Sequence, residues 1–110
     1  MRKIKFRQFV TGRFHYWGFL EKDCFTGPIN PKDPSQQFTG LFSKDGKETY
    51  EGDIIKIGQS ISFISFFNGA FRNAFPPIDN PIYEEGDIEN NAEYSEVIGN
   101  IYEHSHLLEK

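Results

Sequence analysis

A chain of 110 residues holds one domain, because a second core could not be built from what an ordinary domain would leave over. With 12 Phe, 5 Tyr and a single Trp the aromatic share reaches 16%, and large flat side chains suit pleated, half-buried strands better than a helical bundle. One cysteine excludes an intramolecular disulfide, which fits a reducing compartment and makes a cytoplasmic location the expectation. No stretch of signal-peptide character follows the charged start, and no apolar run approaches the ~20 residues that a membrane-spanning helix needs. The net charge of −4 hides an asymmetry: residues 1–56 carry 10 basic and 7 acidic side chains, +3, whereas residues 57–110 carry 2 basic and 9 acidic, −7.

In Lys3-Ile4-Lys5-Phe6-Arg7 apolar and basic residues alternate with the period of a strand that has one buried and one wet face, so Lys3–Val10 reads as the first strand. Thr11-Gly12-Arg13 supplies a short glycine turn, and Phe14–Leu20, apolar on both faces, completes a hairpin whose second strand should be buried on both sides. Three prolines within 26–34 cannot donate to a ladder, which makes that stretch a loop. The extended pattern of Gln36–Phe42 then runs into Lys44-Asp45-Gly46-Lys47, a tight turn in which Gly46 can take positive φ. Thr49-Tyr50 forms the return segment, Glu51-Gly52-Asp53 a second break, and Ile54–Ile57 another strand. Asn68-Gly69 between the aromatic-rich runs Ile61–Phe67 and Ala70–Phe75 is a strong hairpin signal. Residues 76–94, rich in proline and acids, read as an acidic loop or flap; Glu96–Tyr102 reads as a last strand, and Ser105–Leu108 as a single helical turn. The expected fold is mainly β, a small single domain of barrel-like or sandwich architecture built from hairpins, with little helix.

Several of these segments carry a family pattern. Ile4-Lys5-Phe6-Arg7, Gln37-Phe38-Thr39-Gly40-Leu41, Asp45-Gly46-Lys47-Glu48, Tyr50-Glu51-Gly52-Asp53-Ile54 and Glu96-Val97-Ile98-Gly99-Asn100-Ile101-Tyr102-Glu103 together resemble the YopX family, small proteins of phages and prophages. The likeness covers about a third of the residues and leaves 24–36 and 76–94 unmatched. After the final Glu the family pattern continues with Asn-Pro, where this chain has His104-Ser105-His106. The resemblance implies a mobile-element origin and a tendency to self-associate; it implies no reaction and no cofactor.

Chemistry-bearing side chains are sparse. Cys24 beside Phe25 reads as a small packed thiol, since no spacing provides the oriented imidazole and the pocket that a nucleophilic pair requires. His104 and His106, two apart, would share a face of an extended segment and make half a metal site, and His15 reads as a packed histidine of an aromatic strand. The acids Asp45, Glu48, Glu51 and Asp53 lack the order of a calcium loop; Asp45 is better explained by turn chemistry, and Glu51-Gly52-Asp53 as a tight entry into a strand with Asp53 available to bond nearby backbone N–H groups. No catalytic, metal or cofactor residue is therefore expected.

Two surfaces remain as candidates. Lys3, Lys5, Arg7 and Arg13 interleave with aromatic residues and could meet an anionic partner, as in single-stranded nucleic-acid binding. Alternatively they form the wet face of a strand that faces the acidic 79–96 segment of the same or a neighbouring subunit, and a pI near 5.3 favours this second reading. Strands apolar on both faces offer more apolar surface than one small core absorbs, so Phe14, Tyr16, Trp17, Phe63 and Phe66 are candidate interface residues. The leading expectation is a non-enzymatic, oligomeric protein-binding module with a host or phage protein as partner; single-stranded nucleic acid is the alternative, and a membrane is not expected.

Overall fold

Residues 4–21, 24–30, 32, 34–86, 88 and 92–108 are described by the computed structural model, residues 20, 21, 24 and 25 through their backbone alone. Ten strands occur among them: β1 Lys5–Val10, β2 Arg13–Glu21, β3 Cys24–Thr26, β4 Ser35–Phe42, β5 Glu48–Tyr50, β6 Asp53–Ile57, β7 Ser60–Phe67, β8 Ala70–Phe75, β9 Ile82–Tyr83 and β10 Glu96–Asn100. They build two antiparallel five-stranded sheets, ordered β3-β2-β1-β4-β5 and β10-β6-β7-β8-β9, in a sandwich rather than a closed barrel.

Two hairpins organise these sheets, and both close through two residues at positive φ, as a turn matching strand twist demands. Thr11 (φ 50°) and Gly12 (φ 83°) join β1 to β2, whereas Asn68 (φ 50°) and Gly69 (φ 79°) join β7 to β8. The registers Val10↔Arg13 and Phe67↔Ala70 follow directly.

Burial concentrates on the second sheet, which is covered on both faces. Neighbours in sequence point to opposite sides of a strand. Ile54, Phe63, Ala74 and Leu108 therefore form one cluster, joined by Ile61 and Leu107, and Ile55, Ile64, Phe71 and Ile88 form a second, joined by Leu41 and Val97. The short 3-10 helix Ser105–Leu108 supplies Leu107 and Leu108 to the first cluster, while Leu41 of β4 brings the first sheet to the second. This double cover accounts for the unbroken apolar run at Ile61–Phe67.

Three expectations need correction. The β2 strand is not buried on both sides, since Tyr16 and Phe19 are each 46% exposed. Over the first sheet the 26–34 loop reaches Gln8, whose amide exchanges bonds with Asn30 (2.5 and 3.2 Å). The last strand ends at Asn100 rather than Tyr102, because the Asn100 side-chain carbonyl accepts from the N–H groups of Tyr102 (3.0 Å) and Glu103 (2.9 Å) and turns the chain. Finally, the 76–94 flap is not loop throughout, since it contains β9 and a 3-10 turn at Ala92–Tyr94.

Candidate functional site

Alternation along β1 sends Lys5, Arg7 and Phe9 to one face, and pairing with β2 and β4 sets Tyr16 and Gln36 beside Arg7. What meets them is the segment Glu48 to Asp53. Arg7 Nη2 lies 2.6 Å from Asp53 Oδ1, and Arg7 Nε donates to Gln36 Oε1 at 2.8 Å. The guanidinium carbon lies over the Phe14 ring (4.1 Å) and the Tyr50 ring (4.7 Å), two cation–π contacts that suit its weakly hydrated charge. The other Asp53 oxygen accepts the Tyr50 N–H at 2.8 Å, so the carboxylate is held from both sides.

Gly52 is required at this corner. Its φ is 89°, and a Cβ there would stand 1.9 Å from Gln36 Nε2. Nearby, Lys5 Nζ pairs with Glu48 Oε2 at 2.5 Å, the second Glu48 oxygen accepts the Tyr50 hydroxyl at 3.0 Å, and Glu51 Oε1 accepts the Gln37 N–H at 3.3 Å. Burial, and then the Glu48 charge, hold the Tyr50 phenol well above its ordinary value. Burial also raises the Glu51 and Asp53 carboxyls, with Arg7 pulling against it in both.

The cluster therefore joins β1, β4, β5 and β6, which is to say both sheets, with Lys5 and Arg7 each facing a carboxylate. Backbone bonds reinforce the same corner, since the Gly52 N–H donates to the Ile64 carbonyl (2.7 Å) and the Ile101 N–H to the Gly52 carbonyl (2.9 Å). It acts as a clasp between the two sheets.

This placement changes the reading of the anionic-partner residues. Arg7 is 5% exposed and bonded to Asp53, so its guanidinium is not a surface contact; burial forces a charge to take an internal partner. Lys5, with its side chain 14% exposed, faces Glu48. The acids that answer these bases come from the middle of the chain rather than from the 79–96 segment. Of the three that are described Arg13 alone stands exposed, at the start of β2; Lys3 lies outside the described residues.

The candidate interface residues divide. Phe63 is 3% exposed and belongs to the core, because β7 directs it at Ile54 and Leu108. Phe14 lies under Arg7, and Trp17 stacks on Phe6 (4.3 Å) while its indole N–H donates to Ser35 Oγ (2.9 Å). Tyr16 and Phe66 are exposed, by 46% and 50%, and Ile4, Phe19, Phe67 and Ile82 join them without having been singled out. Their signal in the sequence was the excess of apolar residues over one core.

His104 and His106 do not share an extended segment. His104 Nδ1 accepts the Asn100 N–H at 3.2 Å, and its ring fills the space over Gly99, where a Cβ would come within 2.8 Å. No cluster of metal-ligating side chains occurs among the described residues, and the Cys24 thiol lies outside them. An open apolar groove of about 1080 Å³ runs beside Ile61, Phe75, Pro77 and Leu107, with Asp79 and Ser105 at its polar points. Long-range packing of the C-terminal turn creates it, and no local spacing announces it.

Fold and clasp together define an antiparallel β-sandwich whose two sheets are tied by a buried ion pair. The chain belongs to the YopX family, since the family model described as YopX protein matches residues 15–109. No curated protein matches it. The matched range takes in Gln36, Glu48, Tyr50, Gly52 and Asp53, whereas Lys5 and Arg7 precede it.

Proposed function

We propose that this chain is a non-enzymatic protein-binding module of phage or prophage type that self-associates and works in the cytoplasm. The observation that carries the reading is the set of large apolar side chains left exposed on both sheets: Tyr16, Phe19 and Phe42 on the first, Phe66, Phe67 and Ile82 on the second. Six such residues on one small domain are more than scattered surface hydrophobics require, and apolar surface of this kind is usually covered by another protein. The clasp supports a binding role, because Lys5 and Arg7 are spent on Glu48 and Asp53 and tie the two sheets together. Among the described residues no helix is long and apolar enough to cross a membrane.

The alternative, single-stranded nucleic-acid binding, loses Lys5 and Arg7 as phosphate contacts, since both already face carboxylates. Sedimentation velocity of the purified protein over a wide concentration range tests the proposal. An assembly that shrinks in Tyr16→Ser/Phe66→Ser, with no anisotropy change of a labelled single-stranded oligonucleotide, is the expected outcome. A monomer at every concentration that nonetheless binds the oligonucleotide would overturn it.

A further inference from the structure

Charge is distributed along this chain so that two of its surfaces complement each other without meeting. The first 20 residues carry Arg2, Lys3, Lys5, Arg7 and Arg13 and no acid, whereas residues 73–109 carry 9 acids and no Lys or Arg. The clasp absorbs Lys5 and Arg7 through Glu48 and Asp53, which leaves Arg13 exposed on the β1–β2 hairpin. On the same hairpin Ile4 (52%), Tyr16 (46%) and Phe19 (46%) are exposed.

The opposing surface is built from residues 76–86. Here Asp79, Glu84 and Glu85 are exposed beside Ile78 (38%) and Ile82 (67%), and the groove lined by Pro76, Pro77 and Ile78 opens next to them. Among the described residues no ion pair joins this segment to the hairpin; the pairs found are Lys5–Glu48, Arg7–Asp53, Lys44–Glu96 and Lys47–Asp45. An aromatic surface carrying Arg13 and an acidic, apolar one thus stand on one chain, unpaired with each other among the described residues.

From this complementarity we infer that the occupant of the 76–86 surface is the β1–β2 hairpin of a second copy of the chain. The inference rests on the self-association proposed above and specifies how it occurs. Such a contact is heterologous, with a different patch on each partner, and it repeats from copy to copy until it closes as a ring or extends as a filament. A contact of either patch with its own copy across a two-fold axis is disfavoured, because it would set acid against acid or base against base. Opposite charge steers the copies together and fixes the pairing, while Ile4, Phe19, Ile78 and Ile82 supply the apolar area.

The test uses two charge-reversed full-length chains, Arg13→Glu and Asp79→Lys/Glu85→Lys. Their positions are exposed and form no ion pair among the described residues, so both variants are expected to fold, which circular dichroism and a thermal melt verify. Each variant alone should associate at least about threefold more weakly than the unmodified chain in low salt, since reversal replaces attraction by repulsion. Mixed at equal amounts they should assemble again. The carboxylate introduced at position 13 of one chain then meets the lysines introduced in the other, and the unaltered Arg13 of the second chain meets the unaltered acids of the first. Raising salt from about 0.02 to about 0.5 M should weaken the unmodified assembly and the mixed one alike.

Assembly of either variant alone at unmodified strength, or failure of the mixture to recover while the unmodified chain assembles, would overturn this pairing and leave self-association standing. A chain that stays monomeric before any substitution would remove self-association itself.

Discussion

Arg7 and Asp53 show how a single pair can decide stability without contributing to a surface. Both side chains are nearly inaccessible, so removing one partner leaves the other charge buried. Breaking a buried pair in this way costs about 3–5 kcal/mol, whereas an accessible pair is worth about 1 kcal/mol or less. Asp53→Asn should therefore lower the urea midpoint by the larger amount at unchanged slope, and Lys44→Ala, whose pair with Glu96 is half exposed, by almost nothing. Replacing both members, as in Arg7→Met/Asp53→Leu, should regain much of the loss. Glu51 adds a pH dependence. Its folded carboxyl is raised by burial above the ordinary value of 4.5, so the folded chain holds that proton more tightly than the unfolded one. The resulting stability is fully present below the ordinary value and is lost as pH climbs through the raised one. Unfolding measured between pH 3 and 7, roughly, should show the unmodified chain losing this advantage over Glu51→Gln as pH rises, and an advantage that grew instead would contradict the sign. Asp53 was legible in the sequence as a residue bonding nearby N–H groups, and it does bond that of Tyr50. Its partnership with Arg7 was not, because 46 residues separate them and no local pattern encodes such a pairing.

Hairpins were the readable elements. Asn68-Gly69 and Thr11-Gly12 both lie where turn chemistry places them, and Ala70–Phe75 has the bounds that its residues suggest. The two turns differ in strain, however. Asn tolerates the left-handed region, while the β-branched Thr11 at φ 50° does not, and such a residue typically costs about 1–3 kcal/mol. Thr11→Asn should accordingly raise the unfolding free energy by about 1 kcal/mol, and calorimetry showing a loss would mean that the Thr11 hydroxyl bond to Val10 O outweighs the strain. By contrast β3 and β9, of three and two residues, have no periodicity of their own. They are strands because β2 and β8 offer them free edges, and pairing partners of that kind cannot be read from a short segment. The end of β10 follows the same logic, being set by the Asn100 side chain rather than by the apolar run that continues through Ile101.

Across the whole molecule, the second sheet depends on covers drawn from distant parts of the chain. Leu108, 8% exposed, seals the cluster around Ile54 and Phe63 from the very end of the described chain. Leu108→Ala should cost about 2–4 kcal/mol in chemical unfolding, despite a sequence position where substitutions are ordinarily tolerated. The mainly β class was legible from aromatic content and turn spacing, and the two-layer arrangement only from contacts such as Leu41 with the second sheet. Layering depends on which faces meet, and strands apolar on both faces leave that choice open. Trp17, stacked on Phe6, makes the coupling of those layers visible. It is the single tryptophan of the chain and stands in the first sheet, so intrinsic emission is an optical report on that sheet alone, whereas far-ultraviolet dichroism registers both. With the Arg7–Asp53 clasp intact the two signals should trace one superimposable transition. In Asp53→Asn they should separate, turning a lone fluorophore into a gauge of how firmly the halves of the sandwich are coupled.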